Sequence, residues 1–299
     1  MTDRKLHVDG VAIALLVLCC FIWGLNQVAA KAAMAEIAPL WQATARTAGG
    51  AVLVWVWSRS RGIALFHRDA TLHGGLLAGV LFAAEFFCIF VGLQFTSASR
   101  MVVFLYISPF VVALGMPLIS RSERLRPLQI GGLALAFAGV AVAFSEGFWR
   151  PAIGPDQWKG DSLGVAAGAL WGATTLAVRG SALTHASAEK TLFYQLAVSA
   201  FLLLGAAIAA GSPLPGELSA LAWSSLAFQV VVVTFASYLL WFWLMRHYPA
   251  TRIASFTMLT PMFGMALGVV LLHEPLTGRL LLALAAVAGG IFFVNRKPR

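Results

Sequence analysis

Long continuous apolar runs, separated by short polar segments, occupy most of the 299-residue chain. A helix that crosses a bilayer needs about 20 mainly apolar residues. Runs of this length, rich in Ala and Leu, predict membrane-spanning helices rather than the alternating strands of a membrane barrel. Ten runs can be delimited, at about 11–33, 37–58, 72–94, 98–119, 128–146, 161–181, 189–210, 218–245, 251–272 and 277–294.

The basic residues orient these runs. Of the 21 Lys and Arg residues, 15 fall on the side of the N-terminus, five fall on the opposite side, and Arg46 lies within a run. Because cytoplasmic loops are enriched in Lys and Arg, we predict an N-in, C-in protein. The first run also has features of a cleaved signal peptide. We expect it to be retained, because its Trp23-Gly24 and Lys31 recur later in the chain.

Composition supports a membrane protein and disfavours other classes. Hydrophobic residues make up 60% and charged residues 11% of the chain, whereas soluble domains contain about 25% charged residues. The net charge of +9 arises from short clusters between apolar runs, so we expect no nucleic-acid partner. Cys19, Cys20 and Cys88 lie within apolar runs and lack C-x-x-C spacing, so they predict no disulfide framework, and we expect no metal or cofactor.

The two halves of the chain match each other at offsets of 148 to 152 residues. Five runs precede the segment 147–160 and five follow it, and an odd number of spans inverts the second copy. We therefore predict an all-α membrane protein of ten transmembrane helices in two inverted five-helix repeats, 1–146 and 161–299, joined by a loop at 147–160. The matches are Trp23-Gly24 with Trp171-Gly172, Lys31 with Arg179, Arg100 with Arg252, Phe104 with Phe256, Ser108-Pro109 with Thr260-Pro261, Ser122-Glu123 with His273-Glu274, and Gly139 with Gly290.

These paired motifs resemble those of the drug/metabolite transporter superfamily: the W-G…K/R openings, the S/T-P of each fourth helix and the E-x-L that follows. The chain is most similar to the ten-helix EamA type, whose members include amino-acid and metabolite exporters such as the YddG-type aromatic amino-acid exporters. The resemblance covers essentially the whole chain. It implies a monomeric exporter in a bacterial inner membrane, with the lipid bilayer and a small-molecule substrate, most of all an amino acid, as its partners.

Polar side chains within the runs are the candidates for substrate binding, because polar groups are costly in a membrane. The planar fork of Arg46 suits a substrate carboxylate. Glu85 could bind a substrate amine or carry a proton. The alternatives are a structural pair of Arg46 with Glu85, a protonated Glu85 hydrogen-bonded to the backbone, and an Arg46 hydrogen-bonded to a carbonyl oxygen.

Aromatic and polar residues share one face of the first and sixth helices, by i, i+3 and i+4 spacing. They predict an aromatic-walled cavity near the pseudo-symmetry axis, although Trp can also anchor a helix at the membrane interface. The face of the first helix carries Trp23, Asn26 and Gln27, and that of the sixth carries Trp171, Thr174 and Thr175. Further candidates are Tyr106, Tyr194, Gln195, Ser237 and Tyr238.

Other residues fit structural roles. Pro109 and Pro261 each remove a helix hydrogen bond and predict hinges. Lys31 and Arg179 are expected to extend to the lipid headgroups, and Glu123 and Glu274 to cap helices or pair at the surface. Small residues at four-residue spacing predict close helix contacts; they are Gly160, Gly164, Gly168 and Gly172, Gly75 and Gly79, and Gly264 and Gly268.

The residues favour a secondary transporter with alternating access between the repeats, and they predict no enzyme. The chain has no Walker motif, and His273-Glu274 continues with Pro275-Leu276 instead of completing a zinc motif. The polar positions cluster rather than form the continuous stripe of a pore. The alternatives are an exporter or antiporter of other metabolites or drugs, and a facilitative channel.

Overall fold

A computed structural model describes residues 9–67, 69–119, 127–149, 151–248, 256–257 and 259–295. Within these ranges the chain forms helices and loops, and no strand. The predicted cap Glu123 and the matched residue Arg252 lie outside them. The helices are α1 (Gly10–Ala33), α2 (Pro39–Ser60), α3 (Thr71–Gly92), α4 (Ala98–Leu105), α5 (Ser108–Ile119), α6 (Pro127–Trp149), α7 (Gln157–Arg179), α8 (Ala188–Ala209), α9 (Ala220–Ala227), a π-helical segment (Phe228–Ser237), α10 (Tyr238–His247), α11 (Leu259–Leu272) and α12 (Gly278–Asn295), with a short 3-10 helix at Ala182–His185.

Six helices in the described part of the chain are long and apolar enough to cross a membrane. They are Gly10–Ala33, Thr71–Gly92, Ala98–Ile119 (α4 with α5), Pro127–Gly147, Ala188–Ala209 and Ala220–Leu244, and two shorter apolar helices are Leu259–Leu272 and Gly278–Phe293. Helices α2 and α7 have the length of a span, 22 and 23 residues, but polar residues such as Arg46 and Asp161 lower their mean hydropathy. The all-helical class is confirmed, while ten spans and the N-in, C-in orientation stay predictions.

The fourth apolar run is broken in its middle. Helix α4 ends at Leu105, and Tyr106 and Ile107 separate it from α5. Pro109, the second residue of α5, has no N–H to donate to the carbonyl oxygen of Leu105 four residues earlier. Its counterpart Pro261 is the third residue of α11. Proline therefore accounts for the break in the first half, and movement at either proline stays a prediction.

The glycine series on α7 brings this helix against the break. A Cβ atom on Gly168 would lie 2.5 Å from Ile107 Cγ2 and 2.6 Å from the carbonyl oxygen of Phe104. A Cβ atom on Gly160, at the start of α7, would lie 2.7 Å from the Thr96 Cβ. Backbones approach this closely only where side chains are absent. The prediction of close contact along this glycine series is confirmed.

The glycines that the repeat matches in α6 and α12 pack reciprocally. A Cβ atom on Gly139 would lie 2.5 Å from the Cβ of Ala286, and one on Gly290 would lie 2.5 Å from the carbonyl oxygen of Gly132. Helix α6 therefore meets α12 through equivalent residues of both. The three cysteines are free thiols, with Cys19 and Cys20 buried in α1.

Candidate functional site

Arg46 lies in a buried polar cluster between α2, α3 and α10. Its side chain is 1% exposed. Its Nη2 donates a hydrogen bond of 3.1 Å to the hydroxyl of Tyr238, and the guanidinium lies 4.1 Å above the ring centre of Phe86. Its Nε and Nη1 have no hydrogen-bond partner in the described part of the chain. Buried arginines normally use their donors, so these two unpartnered groups make Arg46 a candidate for ligand binding.

Glu85 precedes Phe86 on α3 and borders the same cluster. It is 5% exposed, and its Oε2 has no hydrogen-bond partner within the described ranges. Its carboxyl group interacts electrostatically with Arg46 and with Tyr238. The orphaned atoms of Arg46 and Glu85 show that the two side chains do not satisfy each other. The cluster thus holds a guanidinium and a carboxyl group, each with a polar atom that has no hydrogen-bond partner among the described residues.

Trp23 connects α1 to this cluster through Ser237. Its Nε1 donates to the Ser237 hydroxyl at 2.9 Å, and its ring meets Trp241 edge-on at 5.2 Å. Ser237 ends the π-helical segment, and Tyr238 follows it at once. Wide turns of this type often occur at functional sites. No feature of the sequence predicted the π-helical segment, at whose end both residues lie.

Trp171 and Tyr106 form a second aromatic group, at the break between α4 and α5. Their ring centres are 5.9 Å apart in an edge-to-face arrangement. Tyr106 is 2% exposed, and its hydroxyl has no hydrogen-bond partner in the ranges that the structure covers. Trp23 and Trp171 therefore each pack against a different ring, Trp241 and Tyr106, instead of against one another.

Three side-chain amides near these groups are buried and incompletely bonded. Asn26 and Gln27 on α1 are each 6% exposed, and their Oδ1 and Oε1 lack a donor within the described residues. Gln42, one turn before Arg46 on α2, is fully buried and uses neither amide atom. Since buried polar atoms are normally satisfied by protein or water, these unpartnered amides are further candidates for polar contacts with a ligand.

The remaining candidates make contacts of a more structural kind. The hydroxyls of Thr174 and Thr175 donate to the carbonyls of Leu170 and Trp171 within α7. Tyr194 packs its ring against Gly75, where a Cβ would lie 2.5 Å from the ring. Gln195, beside it, is half-buried.

A second charged cluster, which the sequence analysis missed, lies at the N-terminus of α4. Arg100 donates from Nε and Nη2 to the two carboxylate oxygens of Asp161, at 3.0 and 2.6 Å, and from Nη1 to Glu146 Oε2 at 2.7 Å. The side chains of Arg100, Glu146 and Asp161 are 3%, 8% and 0% exposed. Both acids lie at ends of apolar runs, where charged groups usually face water. Only the fold brings them to Arg100, which is 46 and 61 residues away.

Two further charged residues donate or accept hydrogen bonds at the start of α4 and in the loop before it. Glu274 accepts hydrogen bonds from the backbone N–H groups of Ala98 and Ser99 at 2.7 and 2.9 Å, which confirms its prediction as a helix cap. The Lys31 ammonium donates to the carbonyl oxygen of Leu93 at 3.1 Å and to that of Thr96. The expectation that Lys31 extends to the headgroups is therefore wrong, because the carbonyls left unpaired after α3 attract it.

Ionisable groups buried among apolar helices are typical of the functional sites of membrane proteins, membrane transporters of small molecules among them. Comparison with known proteins agrees with this class. The model of the EamA-like transporter family matches residues 10–145 and 158–296. The chain belongs to this family, and its lipid environment and small-molecule cargo follow from that membership.

Relatives span nearly the whole chain. The uncharacterized transporter YvbV of Bacillus subtilis (strain 168) is 27% identical over 291 residues, which cover 95% of this chain and 92% of the relative. The uncharacterized transporter sll0355 of Synechocystis sp. is 26% identical, over 93% of this chain and 88% of the relative. A solved crystal structure superposes with a TM-score of 0.65 at 18% identity, over 95% of this chain and 96% of that one, and shows the fold alone.

Proposed function

We propose that this protein is a secondary transporter that exports small zwitterionic metabolites, amino acids above all, by alternating access between its two repeats. The observation that carries the proposal is the buried Arg46, whose Nε and Nη1 have no partner in the described part of the chain, next to the unpartnered Oε2 of Glu85. Two opposite charges with open hydrogen-bonding capacity favour a ligand that carries both charges. They also favour a small one, because both groups border one cluster.

In the proposed complex, Arg46 binds the α-carboxylate of the cargo and Glu85 binds its ammonium group. Charge-assisted hydrogen bonds of this type are about twice as strong as neutral ones. The rings of Phe86, Trp23 and Trp171 then offer apolar surface to the cargo side chain. This surface supports aromatic cargo, as expected for a YddG-type exporter. Asn26, Gln27 and Gln42 supply further polar contacts.

Glu85 is also the proposed proton carrier. Its carboxylate lies in the cargo site, so a proton and a cargo ammonium would compete for it, which couples their movements in opposite directions. The proposal includes ten spans with both termini in the cytoplasm of a bacterium, a monomer in the inner membrane, and repeats at 1–146 and 161–299.

The test is uptake of labelled aromatic and small aliphatic amino acids into proteoliposomes of the purified protein, with and without a pH gradient. We expect saturable uptake with counterflow. The variant Arg46→Gln should raise the half-saturating concentration for amino acids at least about tenfold, and that for the matching decarboxylated amines less than about twofold. Arg59→Gln, at the exposed end of the same helix, is the matched control and should change neither.

An equal effect of Arg46→Gln on amino acids and amines would contradict the carboxylate role of Arg46. Absence of amino-acid uptake in intact vesicles would exclude this cargo and favour other metabolites or drugs. Flux that never saturates and shows no counterflow would identify a facilitative channel instead.

A further inference from the structure

The charged cluster at the N-terminus of α4 joins helices from both halves of the chain. Arg100 on α4 and Glu146 on α6 belong to the first half, and Asp161 on α7 to the second. Asp161 also accepts a hydrogen bond of 2.7 Å from the Thr96 hydroxyl. Salt bridges with such low exposure are strongly destabilising to break when one charge is left alone. When α4 and α7 separate at this end, Arg100 must therefore keep another hydrogen-bonded acidic partner.

Arg100 has two acidic partners on two different helices, so it can lose one and keep the other. If α7 moves away, Arg100 keeps its hydrogen bonds of 2.7 Å to Glu146 and 2.5 Å to the carbonyl oxygen of Ala143, both on α6. Glu146 itself remains fixed by the hydroxyl of Thr277, at 2.9 Å. Asp161 loses its partners but gains water as the end opens, which removes its desolvation cost. The pair with Asp161 can thus open without leaving a buried unpaired cation.

The surface beneath this pair consists mainly of glycine contacts. Along α7, Gly160 and Gly164 face the chain at Thr96, Met101 and Phe104, so the two helices meet with few interlocking side chains. Helix α4 is held from the opposite direction by Glu274. The contacts of α4 therefore divide into a set that retains it, from Glu146 and Glu274, and a pair with Asp161 that links it to α7.

The cluster of Arg100, Glu146 and Asp161 has no exact counterpart at the positions that the repeat matches to it. By the offset that relates α1 to α7, Asp161 corresponds to Ile13, and by the offset that relates α6 to α12, Glu146 corresponds to Lys297. Arg100 does have a matched arginine, Arg252, and Asp9 lies one turn before Ile13, where it accepts hydrogen bonds from the Tyr248 hydroxyl. The two ends of the transport path thus carry different chemistry.

We infer that Arg100 and Asp161 are the gate residues at this end of the path: their ion pair holds α4 against α7 when the end is closed, and its opening admits or releases cargo. This inference rests on the proposed transport function. Neither residue touches the Arg46 cluster in the described structure, so they position the helices and do not bind the cargo.

The experiment measures maleimide labelling of a reporter cysteine, Met101→Cys, in purified protein in nanodiscs, where both faces meet solution. Met101 is fully buried and lies between α4 and α7 against Gly92 and Gly164. We expect Asp161→Asn to raise the labelling rate of this cysteine by about tenfold, the effect of losing a charged hydrogen-bonded pair. Asp156→Asn is the matched control, because its exposed pair with Lys159 lies on the same helix, and it should leave the rate unchanged.

Glu146→Gln is the second variant. It removes the acid that would hold Arg100 once the pair with Asp161 has opened, so labelling should fall below that of the unsubstituted reporter protein. Peptide mapping of the buried Cys19 and Cys20 on α1 reports unfolding in every sample. An unchanged rate in Asp161→Asn, or an equal rise in Glu146→Gln, would overturn the gate. If Asp161→Asn exposes Cys19 and Cys20, Arg100→Lys replaces it, because lysine keeps the positive charge beside Glu146 but cannot form the two-pronged pair with Asp161. Labelling at Met101→Cys should then rise, and an unchanged rate would overturn the gate.

The labelling requires no cargo, so it separates this inference from the proposed function. A gate that responds in a protein that fails to carry amino acids would leave the inference standing and change only the cargo. Amino-acid uptake by a protein whose labelling does not respond to Asp161→Asn would support the proposed function and contradict the gate.

Discussion

Arg46 and Tyr238 are joined by a hydrogen bond of 3.1 Å that connects α2 in the first half of the chain to α10 in the second. The bond fixes Nη2 of the guanidinium and leaves Nε and Nη1 directed elsewhere, without partners in the described residues. Tyr238 therefore orients the arginine from the opposite half, and the proposed cargo site exists only where the two halves meet.

Replacing Tyr238 by Phe should weaken cargo binding without unfolding the protein. The substitution keeps the ring and removes only the acceptor of the Arg46 hydrogen bond. Hydrogen bonds to charged groups contribute about 1.5–3 kcal/mol, so we expect the half-saturating concentration of amino acids to rise about tenfold in the proteoliposome assay. Tyr194→Phe is the control, because the Tyr194 hydroxyl makes one long contact of 3.5 Å, with Thr71. Equal effects of the two variants would contradict an orienting role of Tyr238.

Replacing Glu85 by Gln should uncouple transport from protons. The amide keeps the shape of the side chain but can neither bind nor release a proton near neutral pH. We expect uphill, pH-driven accumulation to be lost, while exchange of cargo on both sides of the membrane continues at a measurable rate. Accumulation that responds to the pH gradient as before would assign the proton to another group.

Replacing Gly168 by Ala should destabilise the helix contact at the α4–α5 break. The added methyl would lie 2.6 Å from the carbonyl oxygen of Phe104, a backbone atom that cannot turn away. Overpacking of this kind costs about 1–3 kcal/mol, which should appear as a lower melting temperature in detergent. Gly205→Ala on α8 meets nothing within 4 Å and should be neutral or stabilising, since alanine is the better helix former. Similar melting temperatures for both variants would contradict the contact.

The stability contributed by Asp69 should depend on pH. The Lys190 ammonium, at 2.7 Å from its Oδ2, and then the Thr71 hydroxyl and amide hold the pKa of Asp69 well below its usual range. Because the folded pKa lies below the unfolded value of about 4, this contribution is present above that value and is lost as the pH falls further. Asp69→Asn should therefore lower the melting temperature at pH near 7, and the difference should shrink progressively as the pH falls below about 4.

Asp156→Asn provides the comparison for that measurement. Its pair with Lys159 is exposed on both sides, and exposed pairs contribute little to stability. We expect a small difference in melting temperature at every pH. A difference for Asp69→Asn that stays constant with pH would show that the loop is stabilised by contacts other than this ion pair.

Periodicity and length predicted the helices of this protein well, because a bilayer imposes one length and one composition on each span. They also predicted Arg46 and Glu85 as unusual residues, since a charged group within an apolar run stands out. The break between α4 and α5 was partly predictable from Pro109. The π-helical segment was not, because its residues have the composition of an ordinary apolar helix.

The partners of the charged residues could not be predicted from spacing. Asp161 and Glu146 occupy the ends of apolar runs, and sequence alone does not distinguish an acid in water from one buried on Arg100. Lys31 was misjudged for the same reason, since its partners are backbone carbonyls that carry no side-chain signal. Which charged residues meet across long sequence distances depends on how the helices pack. The matched positions of the repeat indicated only some of these contacts.

Glu274 closes the first turn of α4 with hydrogen bonds to the amides of Ala98 and Ser99, although it lies about 175 residues further along the chain. The first half, expressed alone, would leave these amides bare in an apolar environment, where an unpaired N–H costs several kcal/mol. We therefore expect the two halves to depend on each other for stability, because a residue of the second half caps a helix of the first.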